Sequence, residues 1–256
     1  MNRVRLVFYT VLIAIIPISV VSCLQDNGRL REAELLMETD PKEADSILVS
    51  MTEPTSRRDR TWYVVLKSLA DCKNDRIITS DSLIRTATDY YGSLHKNYRA
   101  AVAWYTHGCV YTHLGNDHSA IYAFLKAKDL FPDTLVHYYA LTEYKLGTRY
   151  QNMKMYNQAM DQLMYSRINA DRLKDTVTSY WANLMLFECA QQLGEEEVSN
   201  QFLNSILSRQ DYIHEIFSDD TLFDGTRLRY YIVGDKGDYS LPKESEYPLK
   251  ASVYLR

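Results

Sequence analysis

Apolar residues recur at three- and four-residue spacing along most of the chain, which is the period of an amphipathic α-helix. The clearest early example is the range 61–71, in which one helix face carries Trp62, Val65, Leu66 and Leu69. Only 9 Gly and 6 Pro interrupt 256 residues, fewer than sheets joined by tight turns require. The pattern therefore predicts an all-α protein.

Short polar connectors divide this pattern into pairs of helices. Residues 30–37 and 41–51 form a first pair, in which Asp40-Pro41 is a typical helix start. Residues 61–71 and 80–91 form a second pair, with Ser80 or Asp81 as the N-cap of its second helix. With the repeats described next, about five helical hairpins are expected.

One unit in the middle of the chain carries a specific spacing of large and small residues. Its signature consists of Trp104, Gly108, Tyr111, Ala120, Phe124, Ala127 and Pro132. This spacing resembles the tetratricopeptide repeat (TPR), a hairpin of two antiparallel helices. Gly108 and Ala120 are small where two helices approach closely, and the aromatic residues are expected to fill the space between hairpins. His107 departs from the pattern, which prefers leucine at that position.

Two weaker copies of the unit follow it. The next carries Gly147, Tyr150, Ala159, Leu163 and Ser166, and the last carries Phe187, Ala190, the turn 193–195, Ser199, Leu203 and Ile206. The resemblance covers residues 61–210 and implies a right-handed superhelical stack of TPR-like hairpins with an irregular C-terminal tail.

The amino terminus has the composition of an export signal. Arg3 and Arg5 precede an uncharged apolar run over 6–21, and Ser22 stands directly before Cys23. Residues 20–23 resemble the lipobox of bacterial lipoproteins, which implies a signal peptide over 1–22 and a lipid on Cys23. The alternative is an uncleaved anchor, although the run is shorter than the roughly 20 residues that span a bilayer and contains Pro17.

These observations divide the chain into four segments. They are a lipoprotein signal peptide (1–22), a short helix pair with a linker (23–60), the TPR-like domain (61–222) and a tail (223–256). Residues 229–233 have strand-like composition and 234–238 read as a turn. A mobile terminus, a cap on the last hairpin and the stub of a longer product all remain open for the tail.

The phrases at 37–41, 80–84 and 90–91 resemble TPR lipoproteins of the Bacteroides type. Some of those proteins continue into a membrane helix and an intracellular regulatory domain. The resemblance implies a location in the cell envelope, with the lipid in the inner or outer membrane and the mature domain periplasmic or surface-exposed.

Motifs of catalysis and metal binding are missing from the sequence. It contains no HExxH, Walker loop, GxGxxG, GxSxG or CxxC pattern. None of its histidines forms an i, i+4 pair: His95, His107, His113, His118, His137 and His214. The net charge of −4 offers no basic field to a nucleic acid. We therefore expect a non-enzymatic protein without a cofactor or metal.

The repeat resemblance also implies a binding groove lined by the first helix of each hairpin. The candidate groove residues are Tyr105, Thr112, His113, Tyr144, Thr148, Gln151, Asn152, Glu188, Gln191 and Gln192. Their aromatic and amide groups suit a peptide or protein partner. A sensor module of a truncated or split TPR-type regulator and a glycan-binding accessory lipoprotein are the alternative functions.

Overall fold

The computed structural model describes residues 28–92, 96–132 and 136–207. All regular elements in these ranges are helices, as the hydrophobic period predicts. The predicted signal peptide, the lipidation site at Cys23 and the tail at 223–256 lie outside the described residues. None of the described helices is long and apolar enough to cross a membrane.

The chain divides into two compact units, of which the first ends at Pro132. Its six described helices are α1 (28–36), α2 (Pro41–Ser50), α3 (Arg57–Lys73), α4 (Ser82–Tyr91), α5 (Tyr98–His113) and α6 (Asp117–Leu130). Consecutive helices pair as three hairpins. The contact of α3 with α5 also joins the first helices of the second and third hairpins.

The second unit contains two hairpins. Its helices are α7 (His137–Asn152), α8 (Tyr156–Leu173), α9 (Thr176–Leu193) and α10 (Glu196–Leu207). The described residues therefore form five hairpins. Most predicted helices lie where the sequence places them, but α3 begins at Arg57, four residues earlier than the apolar pattern suggests.

Polar side chains fix the starts of several helices. Asp40, Ser56, Asn97, Asn116 and Asp175 each accept a hydrogen bond from the backbone N–H three residues further on. These bonds satisfy amide groups that have no partner within the helix. The connector after α5 reaches the cap of α6 through Gly115, whose φ of +70° is readily adopted by glycine.

Glycine brings the two helices of a hairpin into close contact. A Cβ added to Gly108 would lie 2.5 Å from the ring of Phe124, and one added to Gly147 would lie 2.5 Å from Leu163. Phe124 thus packs inside its own hairpin against Gly108. Tyr111, by contrast, reaches Asp81 at the start of α4 and so joins two hairpins, as expected from the repeat pattern.

The core of the second unit is centred on α9. Every residue from Ala182 to Phe187 is buried, so the middle of this helix is enclosed on all sides. Leu163 of α8 and Phe202, Leu203 and Ile206 of α10 belong to the same core. Phe187 occupies the repeat position that holds Gly108 in the third hairpin, so bulk replaces the glycine contact here.

Candidate functional site

The predicted groove residues differ widely in their exposure to solvent. His113, Asn152, Gln191 and Gln192 are exposed, whereas Thr112, Tyr144, Thr148, Gln151 and Glu188 are half-buried. Tyr105 is only 3% exposed, and its ring centroid lies 5.8 Å from that of Phe124. Tyr105 therefore belongs to the interior of the third hairpin, because its aromatic ring fills space beside α6.

Tyr144 also contributes mainly to packing. Its ring lies against the core of the second unit. Burial raises the pKa of its hydroxyl above the ordinary value of 10.0, and the nearby charge of Glu188 raises it further. The phenol consequently stays protonated, and Tyr144 offers a partner only its remaining exposed edge.

Two predicted groove residues are joined across neighbouring hairpins of the second unit. Nε2 of Gln151 on α7 donates a hydrogen bond of 3.0 Å to Oε2 of Glu188 on α9. This bond fixes the half-buried Glu188 carboxylate beside α7. Thr148 is directed elsewhere, since its hydroxyl donates to the backbone oxygen of Lys145 at 2.9 Å.

The open part of the predicted groove lies at the carboxyl ends of α7 and α9. We call it the amide face, and it consists of Gln151, Asn152, Glu188, Gln191 and Gln192. Asn152 ends α7, and Gln191 and Gln192 lie in the last turn of α9. Asn152 directly follows Gln151, and Gln191 and Gln192 lie three and four residues after Glu188. The amide face therefore combines a fixed carboxylate with side chains that both donate and accept hydrogen bonds.

A polar cluster between α4 and α5 in the first unit was not identified from the sequence. The Asp81 cluster consists of Asp81, Arg85 and Thr88 on the α4 side and His107 and Tyr111 on α5. Arg85 Nη2 lies 2.8 and 2.7 Å from the two carboxylate oxygens of Asp81, and the Tyr111 hydroxyl donates to Oδ2 at 2.8 Å. The same Oδ2 lies 3.2 Å from Nε2 of His107.

His107 is enclosed on all sides within this cluster. Its side chain is 3% exposed. Nδ1 lies 3.3 Å from Oγ1 of Thr88, and the ring stacks between Trp104 and Tyr111, with centroid distances of 5.8 and 4.4 Å. The departure from leucine at this repeat position was the only sequence signal of the cluster. The hydrogen-bond partners of His107, Asp81 and Thr88, come from α4 and its start, and α4 begins 25 residues earlier in the chain.

The cluster fixes the charge state of Asp81. The hydrogen bonds from Arg85 lower the pKa of this carboxyl from 3.8 to about 2, with support from Tyr111 and His107 and against the effect of burial. Burial lowers the pKa of His107 below 6.5, and the hydrogen bond to Asp81 offsets only part of that effect. At neutral pH the cluster therefore contains a carboxylate and a neutral imidazole.

A second carboxylate and imidazole meet in the other unit. Nδ1 of His137 lies 2.9 Å from Oδ2 of Asp175, which also caps α9. Burial alone would raise the pKa of Asp175, but the hydrogen bonds from His137 and from the backbone of Thr178 lower it to about 2. This pair links the start of α7 to the start of α9.

Two of these groups are closed off from solvent. The His107 imidazole and the Thr88 hydroxyl are both enclosed, at 3% and 2% residue exposure, so a substrate has no access to them. Within the described ranges, no group of three or more His, Cys, Asp or Glu side chains is arranged to hold a metal ion. His113 and His118 are exposed at opposite ends of the turn between α5 and α6.

Comparison with known proteins identifies the fold. A crystal structure of a kinesin light chain-like protein with nearly identical TPR-like repeats, from Podosopora anserina, superposes with a TM-score of 0.56 at 12% sequence identity. The match covers 74% of this chain and 96% of the other. No family model matches the sequence, and no curated protein matches it. The described part of the chain thus has an all-helical fold of TPR-like architecture.

Proposed function

We propose that the protein is a non-enzymatic protein-binding scaffold of the bacterial cell envelope, held at a membrane by lipid on Cys23. The TPR-like fold carries the proposal, because stacked hairpins present extended surfaces that bind other proteins. The amide face of the second unit is the surface we assign to the partner. The envelope location is based on the lipobox-like residues before Cys23.

The amide face suits the backbone of a polypeptide. A peptide in an extended conformation presents N–H and C=O groups that a glutamine or asparagine amide can pair with in either orientation. The fixed Glu188 carboxylate adds an acceptor for a backbone N–H or a cationic side chain. Recognition of this kind depends on backbone geometry more than on the sequence of the partner.

The proposal is tested with exposed residues, because their loss leaves the core intact. We expect an Asn152→Ala, Gln192→Ala double variant to lose a protein that the wild type captures from the native envelope. The matched control is Gln201→Ala, Asn204→Ala, which changes two exposed amides on α10 outside the amide face. Capture is quantified by mass spectrometry, and binding of the isolated partner is then measured by titration calorimetry.

The two variants separate specific binding from general loss of surface polarity. An identical set of captured proteins from the wild type and the Asn152→Ala, Gln192→Ala variant would refute the assignment of the amide face. Equal loss in both double variants would also refute it, since the control leaves the amide face unchanged.

The anchoring is tested at the predicted lipidation site. Cys23→Ser should move the protein from the membrane fraction to the soluble fraction, and mass spectrometry of the wild type should find the lipid on Cys23. Ser22→Ala is the control, because it keeps a small residue before the cysteine. Retention of Cys23→Ser in the membrane would favour the uncleaved anchor instead.

A further inference from the structure

The two protonation states of His107 require different hydrogen bonds. Nε2 faces the Asp81 carboxylate, which is ionised and can only accept, so Nε2 carries a proton in both states. Nδ1 faces the hydroxyl of Thr88, which can donate or accept. Protonation of His107 therefore changes the hydrogen bond between Nδ1 and the Thr88 hydroxyl and leaves the bond to Asp81 in place.

Thr88 has a second partner for its single hydroxyl proton. Its Oγ1 lies 3.0 Å from the backbone oxygen of Arg85, one turn earlier in α4. The hydroxyl donates either to that carbonyl or to Nδ1 of His107. With a neutral imidazole, Nδ1 accepts a hydrogen bond from the Thr88 hydroxyl. With an imidazolium, Nδ1–H donates to Oγ1, and the hydroxyl is directed to the Arg85 carbonyl.

We propose that His107 and Thr88 form a proton-operated hydrogen-bond switch between α4 and α5, at the junction of the second and third hairpins. One proton from solvent is added to Nδ1 on acidification. The Thr88 hydroxyl keeps its own proton and rotates from Nδ1 to the Arg85 carbonyl. The Asp81 bond is kept in both states. This inference is independent of the proposed function.

The charged groups that influence the pKa of the His107 imidazole lie mainly on α4 and at Asp81, the residue directly before it. Asp81 and Asp89 favour the imidazolium, and Arg85 opposes it. On the α6 side, Lys126 lies over the ring of Tyr122, which contacts Trp104, whose ring stacks on His107. On the α3 side, Arg99 lies over Trp62 and precedes His107 by about 12 Å along α5.

The direction of the pH effect follows from the burial of the ring. The pKa of His107 is lower in the folded protein than its ordinary value of 6.5. The unfolded chain therefore takes up the proton at a higher pH than the folded one. The stabilising contribution of the neutral imidazole is fully present above pH 6.5 and declines as the pH falls below it. His107 therefore contributes most to the stability of the folded protein above pH 6.5.

The switch is tested by NMR on the full chain with ¹⁵N-labelled histidine, between pH 8 and pH 5. His107→Leu identifies the His107 signals. We expect the Nε2–H tautomer at pH 8 and a titration midpoint below 6.5. In a second sample labelled with ¹³C, the signal of the Arg85 carbonyl should move with the same midpoint, because that oxygen then accepts a hydrogen bond from the Thr88 hydroxyl. An Nδ1–H tautomer or an unresponsive Arg85 carbonyl would overturn the proposal.

Two variants of Thr88 isolate the role of its hydroxyl. Thr88→Val keeps the shape and removes the hydroxyl, so the Nδ1–H of the imidazolium loses its acceptor. The His107 midpoint should fall further, by about one pH unit, because a charged donor forms stronger hydrogen bonds than a neutral one. Thr88→Ser keeps the hydroxyl and should leave the midpoint near that of the wild type. An unchanged midpoint in a folded Thr88→Val variant would also overturn the proposal. If Thr88→Val does not fold, the Arg85 carbonyl of the wild type decides.

Discussion

The contact between Gly108 and Phe124 shows how one small residue sets the distance between two helices. The Phe124 ring occupies the space that a side chain on α5 would otherwise fill, and it is completely buried there. Closely packed interiors leave little room for an added methyl group. The spacing of α5 and α6 therefore depends on the absence of a Cβ at position 108.

Gly108→Ala tests this dependence. We expect a loss of about 1–3 kcal/mol in the free energy of unfolding, because the new methyl group overlaps a ring that cannot move freely. Denaturation with urea measures the change. Gly28→Ala is the control, since its added Cβ would meet no atom within 4 Å apart from its chain neighbours and the backbone of its own helix. A second variant, Gly108→Ala with Phe124→Leu, should recover part of the loss.

His107 marks the limit of sequence interpretation at the residue scale. The repeat pattern showed that leucine was missing from this position, but it gave no partner for the imidazole. Asp81 was recognised only as a candidate N-cap. In the structure it makes no side-chain cap bond, because its carboxylate is bound by Arg85, Tyr111 and His107. Such a cluster depends on the register of two helices, which one sequence does not specify.

Helix ends are the features of single elements that the sequence predicts best. Asparagine is a preferred N-cap residue, and Oδ1 of Asn116 accepts a hydrogen bond of 3.0 Å from the backbone N–H of Ser119 at the start of α6. The predicted start of α3 was four residues too late, because Ser56 caps a charged first turn (57–60) that contains no apolar residue. Capping chemistry, rather than hydrophobic period, fixes where such a helix begins.

Asn116→Ala should destabilise the third hairpin by about 1 kcal/mol, which is the usual cost of removing an N-cap side chain. Thermal and urea denaturation of the full chain measure the loss. Asn116→Asp is the matched variant, because its carboxylate can accept the same hydrogen bond and also faces the positive end of the helix dipole. We expect it to be as stable as the wild type, and equal losses in both variants would contradict the capping role.

At the scale of the whole molecule, the period of the repeats predicts the number of hairpins but not their division into units. Five hairpins were expected, and the described residues contain five. The boundary after Pro132 is marked in the sequence only by the end of one repeat. The sequence also did not predict which groove residues are exposed to solvent, because the burial of Tyr105 and Tyr144 depends on neighbouring helices.

Acid should destabilise the folded protein through Asp81 and Asp175. The pKa of each carboxyl is lowered from 3.8 to about 2. The unfolded chain therefore binds these protons at a higher pH than the folded chain does. Their contribution to stability is present above pH 3.8 and is lost as the pH falls through about 2.

Urea denaturation between pH 5 and pH 2 measures this loss. Asp175→Asn should reduce the slope of stability against pH in this range, because the amide cannot titrate. Asp129→Asn is the control, since Asp129 is exposed on α6. A slope that Asp175→Asn leaves unchanged would show that other carboxylates govern the acid transition.

The buried middle of α9 carries a cysteine whose reaction with a thiol reagent can measure local opening of the second unit. Cys189 lies on this helix at 0% exposure, and burial raises the pKa of its thiol from 9.0 to about 12. Alkylating reagents attack the thiolate, so Cys189 is protected from them while the last hairpin is closed. Cys189 reacts only when the last hairpin opens and exposes the thiol to the reagent. The rate of labelling at Cys189 therefore measures how readily this hairpin opens.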